Sequence, residues 1–417
     1  MAKRIYINTN NYLVIADDTD TSIDTRNSAN NVYVEINGTL FVFYRKSDNQ
    51  LLESVYYADV RNEAGGTYAN ITVFTDLVES KTGTVDVVSL SSGLEIASGN
   101  VPGSSIAQIG SRNPNVGGLF EDVWDAGALI TLNYDAQTGN FTPGLVLTGG
   151  TSSATATIVT DKDDGTTGTL TIRNITGTFQ TNETITDSGS GSATSDGVVA
   201  SILARVEPTA GQTWEVICES ANDTSAGTGA QTILVAYLDD AFVAQTEIVS
   251  LNGQTAVTLV ATDAYRMRSI SVASWGSATN VVYGKTNLGT IIVRDSVTEN
   301  IMGAITFEDS LAGDEHGFNN TQDSHYTIPA GKTGFPVLIT TNVTKNEDVV
   351  IRALARLDGV DGYSTVGEMS NYQNSFIEDL SMAPAGLPEK TDVKFIAKSD
   401  NDGVIVNIGL VVILIDN

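Results

Sequence analysis

Apolar residues along this chain come in short runs, many of them alternating with Thr, Ser or Asn, and turn residues separate the runs. That period predicts strands rather than helices. Runs at 39–44 and 51–57 flank Ser47-Asp48-Asn49-Gln50 and predict a hairpin with a polar turn. Runs at 85–90 and 94–96 around Ser91-Ser92-Gly93 predict another. Strands are further expected at 214–219, 232–238, 246–251, 256–260, 268–273, 281–283 and 290–293. A second group is expected at 326–328, 335–340, 348–355, 392–397 and 404–415. Turn signals such as Leu251-Asn252-Gly253-Gln254 lie between them. No stretch sustains helical periodicity over three turns, and only 119–125 and 375–381 read as short helical pieces. The expected fold class is all-β.

At 417 residues the chain is too long for one small core, and it reads as several domains. Three regions are expected: an N-terminal β domain over 1–128, a Gly/Thr/Ser-rich β module over 129–205, and a C-terminal β-sandwich over 206–417. The middle region carries an internal repeat. Phe141-Thr142-Pro143-Gly144-Leu145-Val146-Leu147-Thr148 is echoed 38 residues later by Phe179-Gln180-Thr181-Asn182-Glu183-Thr184-Ile185-Thr186, and each copy leads into a tract of small residues. Two copies are too few for a solenoid, so a small pseudo-symmetric β-barrel or sandwich is expected, with the paired Phe residues as core plugs. In the C-terminal region, strand number and spacing point to a jelly-roll-like sandwich. Its last strand is apolar on both faces, which predicts a central position or burial between subunits.

Charge narrows the partners. The chain has 22 basic and 50 acidic residues, a formal net charge of −28, and that sign disfavours nucleic acid and anionic membrane. Charged residues make up only 17 % of the chain, so uncharged polar groups must finish the surface. The apolar stretch 404–415 is too short to span a bilayer, so no membrane insertion is expected. Met1-Ala2-Lys3-Arg4-Ile5-Tyr6-Ile7 has no apolar h-region, and no secretory signal is expected. Cys218 is the single cysteine and lies in an apolar run, so it reads as a buried, inert thiol.

Candidate chemistry is sparse. His316 and His325 lie in Asp314-Glu315-His316 and Asp323-Ser324-His325, residue types that zinc or manganese accept. Their spacing matches no metal signature, and the segment reads as a long solvated polar loop. Asp161-Lys162-Asp163-Asp164-Gly165 could offer oxygens to calcium but lacks the alternating ligands of an EF-hand, so a β-turn is expected. Asp400-Asn401-Asp402-Gly403 reads as a hairpin turn and Asp358-Gly359-Val360-Asp361-Gly362 as an exposed loop. There is no Gly-x-Ser-x-Gly elbow, P-loop or dinucleotide fingerprint. No catalytic, cofactor-binding or metal-binding residue is therefore assigned, and no cofactor is expected. Tyr56, Tyr57, Trp214, Tyr237, Tyr265, Trp275 and Tyr283 could stack on sugars, but rings in strands more often fill cores.

Three stretches carry a family resemblance: the repeat at 141–149 with its Thr151-Ser152-Ser153-Ala154-Thr155 continuation, Tyr326-Thr327-Ile328-Pro329-Ala330-Gly331-Lys332-Thr333-Gly334, and Leu387-Pro388-Glu389-Lys390-Thr391-Asp392-Val393. From about 129 onward the chain resembles structural proteins of tailed-bacteriophage virions. The resemblance implies a non-enzymatic head fibre, spike, decoration or tail-associated protein, assembled in the host cytoplasm into the virion, with other virion proteins as partners. The N-terminal region is then the expected virion anchor, and a homotrimer the expected assembly, because closed symmetry buries edge strands. The alternative is an adhesin that binds a host-surface glycan on its C-terminal sandwich. A depolymerase is the third reading.

Overall fold

The computed structural model describes the strands 4–7, 13–16, 23–24, 32–37, 40–45 and 51–56. From Gly103 onward it describes all residues except 125, 127–128, 198–199, 204, 281–283, 309–315, 345–347, 373–374, 380–385 and 402. The protein is all-β, with no α-helix among the described residues. Two compact units divide it, Met1–Pro102 and Gly103–Asn417. In the first, Arg4–Ile7, Leu13–Ala16 and Ile23–Asp24 form one antiparallel sheet. Val32–Asn37, Leu40–Arg45 and Leu51–Tyr56 form another, in which the two strands of the expected hairpin pair antiparallel, while its turn at 47–50 lies outside the described residues. The hairpin expected at 85–96 lies outside the described residues.

The second unit begins and ends in the same sheet. Its first strand, Ser104–Val116, pairs antiparallel with the last, Val404–Asp416, along almost its whole length. This pairing places the division between units ahead of residue 128. One sheet runs Ser375–Asp379, Lys332–Val343, Val404–Asp416, Ser104–Val116. The facing sheet runs Ser364–Tyr372, Asp348–Arg356, Asp392–Ser399, with Glu121–Asp122 and Tyr326–Thr327 sharing the far edge. Counting that shared edge as the second strand, the sheets read 1-8-3-6 and 2-7-4-5, which is the jelly-roll order. The closing strand is central, as its apolar pattern predicts. Its even-numbered residues Val404, Val406, Ile408, Leu410, Val412 and Leu414 are buried against Ile351, Phe395 and their neighbours. Each such side chain contributes about 1.5–3 kcal/mol of burial.

The second jelly-roll strand is split. Glu121 and Asp122 pair with Ala397 and Ile396, and Val123 N donates to Phe395 O at 3.0 Å. The same edge resumes at Tyr326 and Thr327, opposite Val393 and Asp392. Ser324 N donates to Val123 O at 3.1 Å, and a bridge joins Trp124 to Asp323, so the chain returns where it left. Residues 124–323 are thus an insertion within one strand of the jelly roll.

The insertion holds two bodies. In the first, Gly168–Thr176, Thr155–Asp163, Val146–Gly149, Thr184–Asp187, Ser192–Ser195 and Ile130–Gly139 pair in that order, and the last pairs back to the first to close a barrel. The 38-residue repeat is its pseudo-two-fold symmetry. The pairs Leu147↔Asp187 and Gly149↔Ile185 exchange under that offset, as do Ile130↔Ile172 and Gly168↔Tyr134. Phe141 and Phe179 both plug the core, with Leu147 and Ile185 beside them. The small-residue tracts close around carboxylates. Glu183 accepts hydrogen bonds from Thr151 N (3.0 Å) and Ser152 N (2.8 Å), and Asp187 from Gly189 N and Gly191 N (both 2.8 Å).

The second body is a sandwich of Val257–Thr258, Trp214–Cys218, Ile291–Asp295 and Ile301–Ile305 against Ala244–Ser250, Ala230–Asp239 and Ala264–Trp275. The region after 206 therefore contains two sandwiches, and the jelly roll recruits 104–122 to complete itself. The two expected helical pieces are extended instead. Glu121–Asp122 lies in the split strand, and Ser375–Asp379 pairs with Leu338–Asn342 at the sheet edge. Segments this short gain too little from helix formation to resist sheet pairing.

Truncating Phe179→Ala opens a cavity in the barrel core and should destabilise the barrel by about 3–5 kcal/mol. Hydrogen exchange should show faster opening confined to 130–202, and unchanged protection there would contradict the assignment.

Candidate functional site

The bodies of the second unit meet through buried charges and, between barrel and sandwich, through an apolar cluster that includes Val159 and Ile292. Arg173 projects from the barrel strand Gly168–Thr176 and forks onto Glu219 of the inserted sandwich, Nη2 to Oε1 at 2.6 Å and Nε to Oε2 at 3.0 Å. Thr290 N also donates to that carboxylate at 3.0 Å, and Gln254 Nε2 donates to Pro143 O on the barrel side. The cost of desolvating that carboxylate is offset only while all of its donors remain.

Asp392 organises the next junction. From the jelly roll it accepts Arg266 Nε at 3.0 Å from the inserted sandwich, Thr327 Oγ1 at 2.6 Å, and Arg356 Nη2 at 2.6 Å. Arg356 also pairs with Glu207 on the linker, whose other oxygen accepts Tyr363 Oη at 2.5 Å. Burial alone would raise the Asp392 pKa, but Arg266, Thr327 and Arg356 outweigh it and hold the carboxyl below its usual range.

The third cluster lies where the insertion rejoins the jelly roll. His325 Nδ1 is 2.6 Å from Asp323 Oδ1, and its Nε2 is 3.5 Å from Asp122 Oδ1. Arg205 Nη1 lies 2.8 Å from Asp323 Oδ2, and Lys394 Nζ lies 2.7 Å from Asp122 Oδ1. Burial and Arg205 push the imidazole pKa down, yet Asp323 and Asp122 prevail and raise it. This corrects the expectation of a solvated loop: Asp323, Ser324, His325 and Tyr326 are all buried. They are buried because they flank the split strand, which nothing in their local sequence reveals. Asp314 and Glu315 lie outside the described residues, as does the side chain of His316.

Among the described residues no group of three or more His, Cys, Asp or Glu is placed to hold a metal ion. Asp161-Lys162-Asp163-Asp164-Gly165 is the tight connection between Thr155–Asp163 and Gly168–Thr176, with Gly165 N on Asp163 Oδ1 at 2.8 Å. Burial raises the Asp161 pKa to about 6, although the Tyr134 hydroxyl donates to it at 2.8 Å. The turn before Gly403 does not close a hairpin: it carries the chain from Asp392–Ser399 in one sheet to Val404–Asp416 in the other. Asp358-Gly359-Val360-Asp361-Gly362 is an exposed loop, as expected. Cys218 is buried, and its thiol pKa is pushed up by burial. Trp214 and Tyr237 are core rings in edge contact at 5.9 Å, and Tyr265 packs on Phe242 at 5.2 Å. Trp275 is partly exposed and donates to Asn319 Oδ1 at 3.3 Å. Tyr57 and Tyr283 and the side chain of Tyr56 lie outside the described residues.

Among the described residues, an open cleft of about 990 Å³ lies between the outer face of the sheet holding Ser104–Val116 and the inserted strand Ala264–Trp275. Its lining is rich in amide side chains, including Gln108, Asn320 and Asn407. Sequence reasoning missed it because its walls come from segments far apart in the chain.

No protein-family model matches the chain, and no curated protein matches it. Among solved structures it is similar to the T13 IBDV viral particle, at 10 % identity over 75 % of this chain and 69 % of that one, with a TM-score of 0.17. Infectious bursal disease virus Gx strain aligns at 12 % identity over 75 % and 73 %, with a TM-score of 0.16. The VP2 subviral particle of infectious bursal disease virus aligns at 10 % identity over 75 % and 72 %, with a TM-score of 0.15. Agreement at this level carries no argument about fold or function.

Two predictions follow from the charge clusters. Replacing Asp392→Asn leaves Arg266 facing a weaker partner in a buried site and should cost about 3–5 kcal/mol in chemical denaturation. His325 has a folded pKa above its unfolded value of 6.5, so its stabilisation is full below 6.5 and is lost as pH rises through the folded pKa. The lowered Asp122 contributes above 3.8 and loses its contribution as pH falls through its folded pKa. The stability gap between the wild type and His325→Gln should therefore narrow as pH rises from about 6 to 9. A gap that widens with pH would contradict the cluster.

Proposed function

We propose that the chain is a non-enzymatic structural component of a virus particle of the tailed-bacteriophage kind, acting through protein–protein contacts. It would serve as a head fibre, spike, decoration or tail-associated protein, assembled in the host cytoplasm into the virion. The observation that carries this reading is the jelly roll with a two-body insertion in one strand. Jelly rolls serve viral capsids, lectin domains and cupins. Here the space between the two sheets is filled by an apolar core, so the fold acts as a rigid mount rather than as a chamber for chemistry. The insertion leaves and returns at adjacent residues, which displays it away from the mount while the buried junctions hold its orientation. Met1–Pro102, a compact unit of its own, is the proposed anchor to other virion proteins.

A homotrimer suits this role. Ser364–Tyr372 ends its sheet with Asp348–Arg356 as its one described neighbour, and Val366 on it is 61 % exposed. An open edge with an exposed β-branched residue invites pairing, and closed symmetry removes it. Light scattering over a dilution series should give three times the mass of one chain, and antibodies to the purified protein should decorate intact particles. A strict monomer would contradict the trimer, and unlabelled particles would contradict the virion role.

A further inference from the structure

The cleft beside the jelly roll has a floor that folding does not require. Gly110 and Gly409 face each other across the pairing of Ser104–Val116 with Val404–Asp416, in the interior of two long strands. Glycine there weakens a sheet and often marks a place where a ligand or another backbone comes close. Gly409 has a local reason, since a Cβ on it would stand 2.5 Å from Thr340 Oγ1. Gly110 has none: a Cβ built on it meets no atom within 4 Å. What its absence creates is a flat strip of bare backbone at the bottom of the cleft.

The walls have a matching chemistry. Gln108 is exposed and Asn407 half-buried beside the glycines, and Asn320 faces them across the cleft. An amide offers both donors and an acceptor, the complement of a hydroxyl that does both. Arg268 stands on the opposite wall, half-buried, with its guanidinium 5.8 Å from the centre of the Tyr326 ring. Arg173, Arg205, Arg266, Arg294 and Arg356 each rest on a carboxylate. Arg268 has no carboxylate partner among the described residues, although the chain carries 50 acidic residues. A half-buried, always-charged fork in such a chain is suited to receive an anion from outside.

We propose that this cleft binds a carboxylate-bearing saccharide, its ring lying on the Gly110–Gly409 strip, its hydroxyls meeting the amides and its carboxylate meeting Arg268. A volume of about 990 Å³ accommodates two or three sugar residues. The inference deepens the glycan-binding alternative and is independent of the particle role.

The test is an array of oligosaccharides ending in uronic or sialic acid, alongside neutral counterparts, probed with the full-length protein and three variants. The wild type should be retained on the carboxylated members alone. Gly110→Val, at a position with open space and a strand-compatible side chain, should fold with unchanged thermal stability and lose retention. Arg268→Gln should weaken retention at least tenfold, and Gln108→Ala, at an exposed position, should weaken it severalfold. No retention on any carboxylated glycan, equal retention on neutral ones, or retention unchanged in Arg268→Gln and Gln108→Ala would overturn the proposal. Antibody decoration of wild-type particles reads the virion role separately: particles that label normally while the wild-type protein leaves the array blank would sink the saccharide site alone.

Discussion

The pairing of Ser104–Val116 with Val404–Asp416 is the constraint on which the second unit depends. It joins the two ends of that unit, and everything between them is a loop of this ladder. Closing so long a loop costs less than its length suggests, because each doubling adds only about 0.6 kcal/mol. The ladder gains a row of buried aliphatic side chains in return, from Val404 through Leu414. The order of the remaining strands follows from where this pair sits, with Val404–Asp416 inside its sheet and Ser104–Val116 at the edge. The split strand opposite then lets the insertion enter and leave at Val123 and Ser324 without disturbing that order.

The buried ion pairs do a different job from the apolar cores. Among the described residues, three cores each stabilise one body, and a fourth joins Leu129 and Val159 of the barrel side to Ile217, Ile292 and Ile301 of the sandwich. Arg173–Glu219 and Arg266–Asp392 instead place buried charge across the junctions between bodies. Such pairs add little net stability over an apolar contact, but they penalise any arrangement that leaves a charge unpaired. With 22 basic against 50 acidic residues, the buried carboxylates have few alternative cations, so these arginines help to specify the relative placement of the bodies. In that setting Arg268, facing a cleft, is the exception.

Much of this was legible in the sequence, for identifiable reasons. The barrel was, because a 38-residue repeat with matched Phe141 and Phe179 writes its own symmetry. The central closing strand was, because residues apolar on both faces have few other places to go. The jelly roll was legible as a fold but not in its composition. Ser104–Val116 contains Gly110, Asn113, Pro114 and Asn115, which read locally as turn residues, and only pairing with the last strand makes them extended. Ser364–Tyr372 is largely polar and lacks alternation, as an exposed edge allows. The charge clusters and the cleft were not legible at all. Asp122, Asp323 and Asp392 look like ordinary acidic residues until the fold brings Lys394, Arg205 and Arg266 to them.

Hydrogen exchange of the full chain, resolved by segment, tests the nested architecture most directly. Ser104–Val116 should share its protection with Val404–Asp416 and open with it as one cooperative unit, distinct from the barrel at 130–202 and the sandwich at 214–305. Exchange of 104–116 in step with the strands before residue 57, while 404–416 stayed protected, would show that the first strand belongs to the N-terminal unit and would contradict the account.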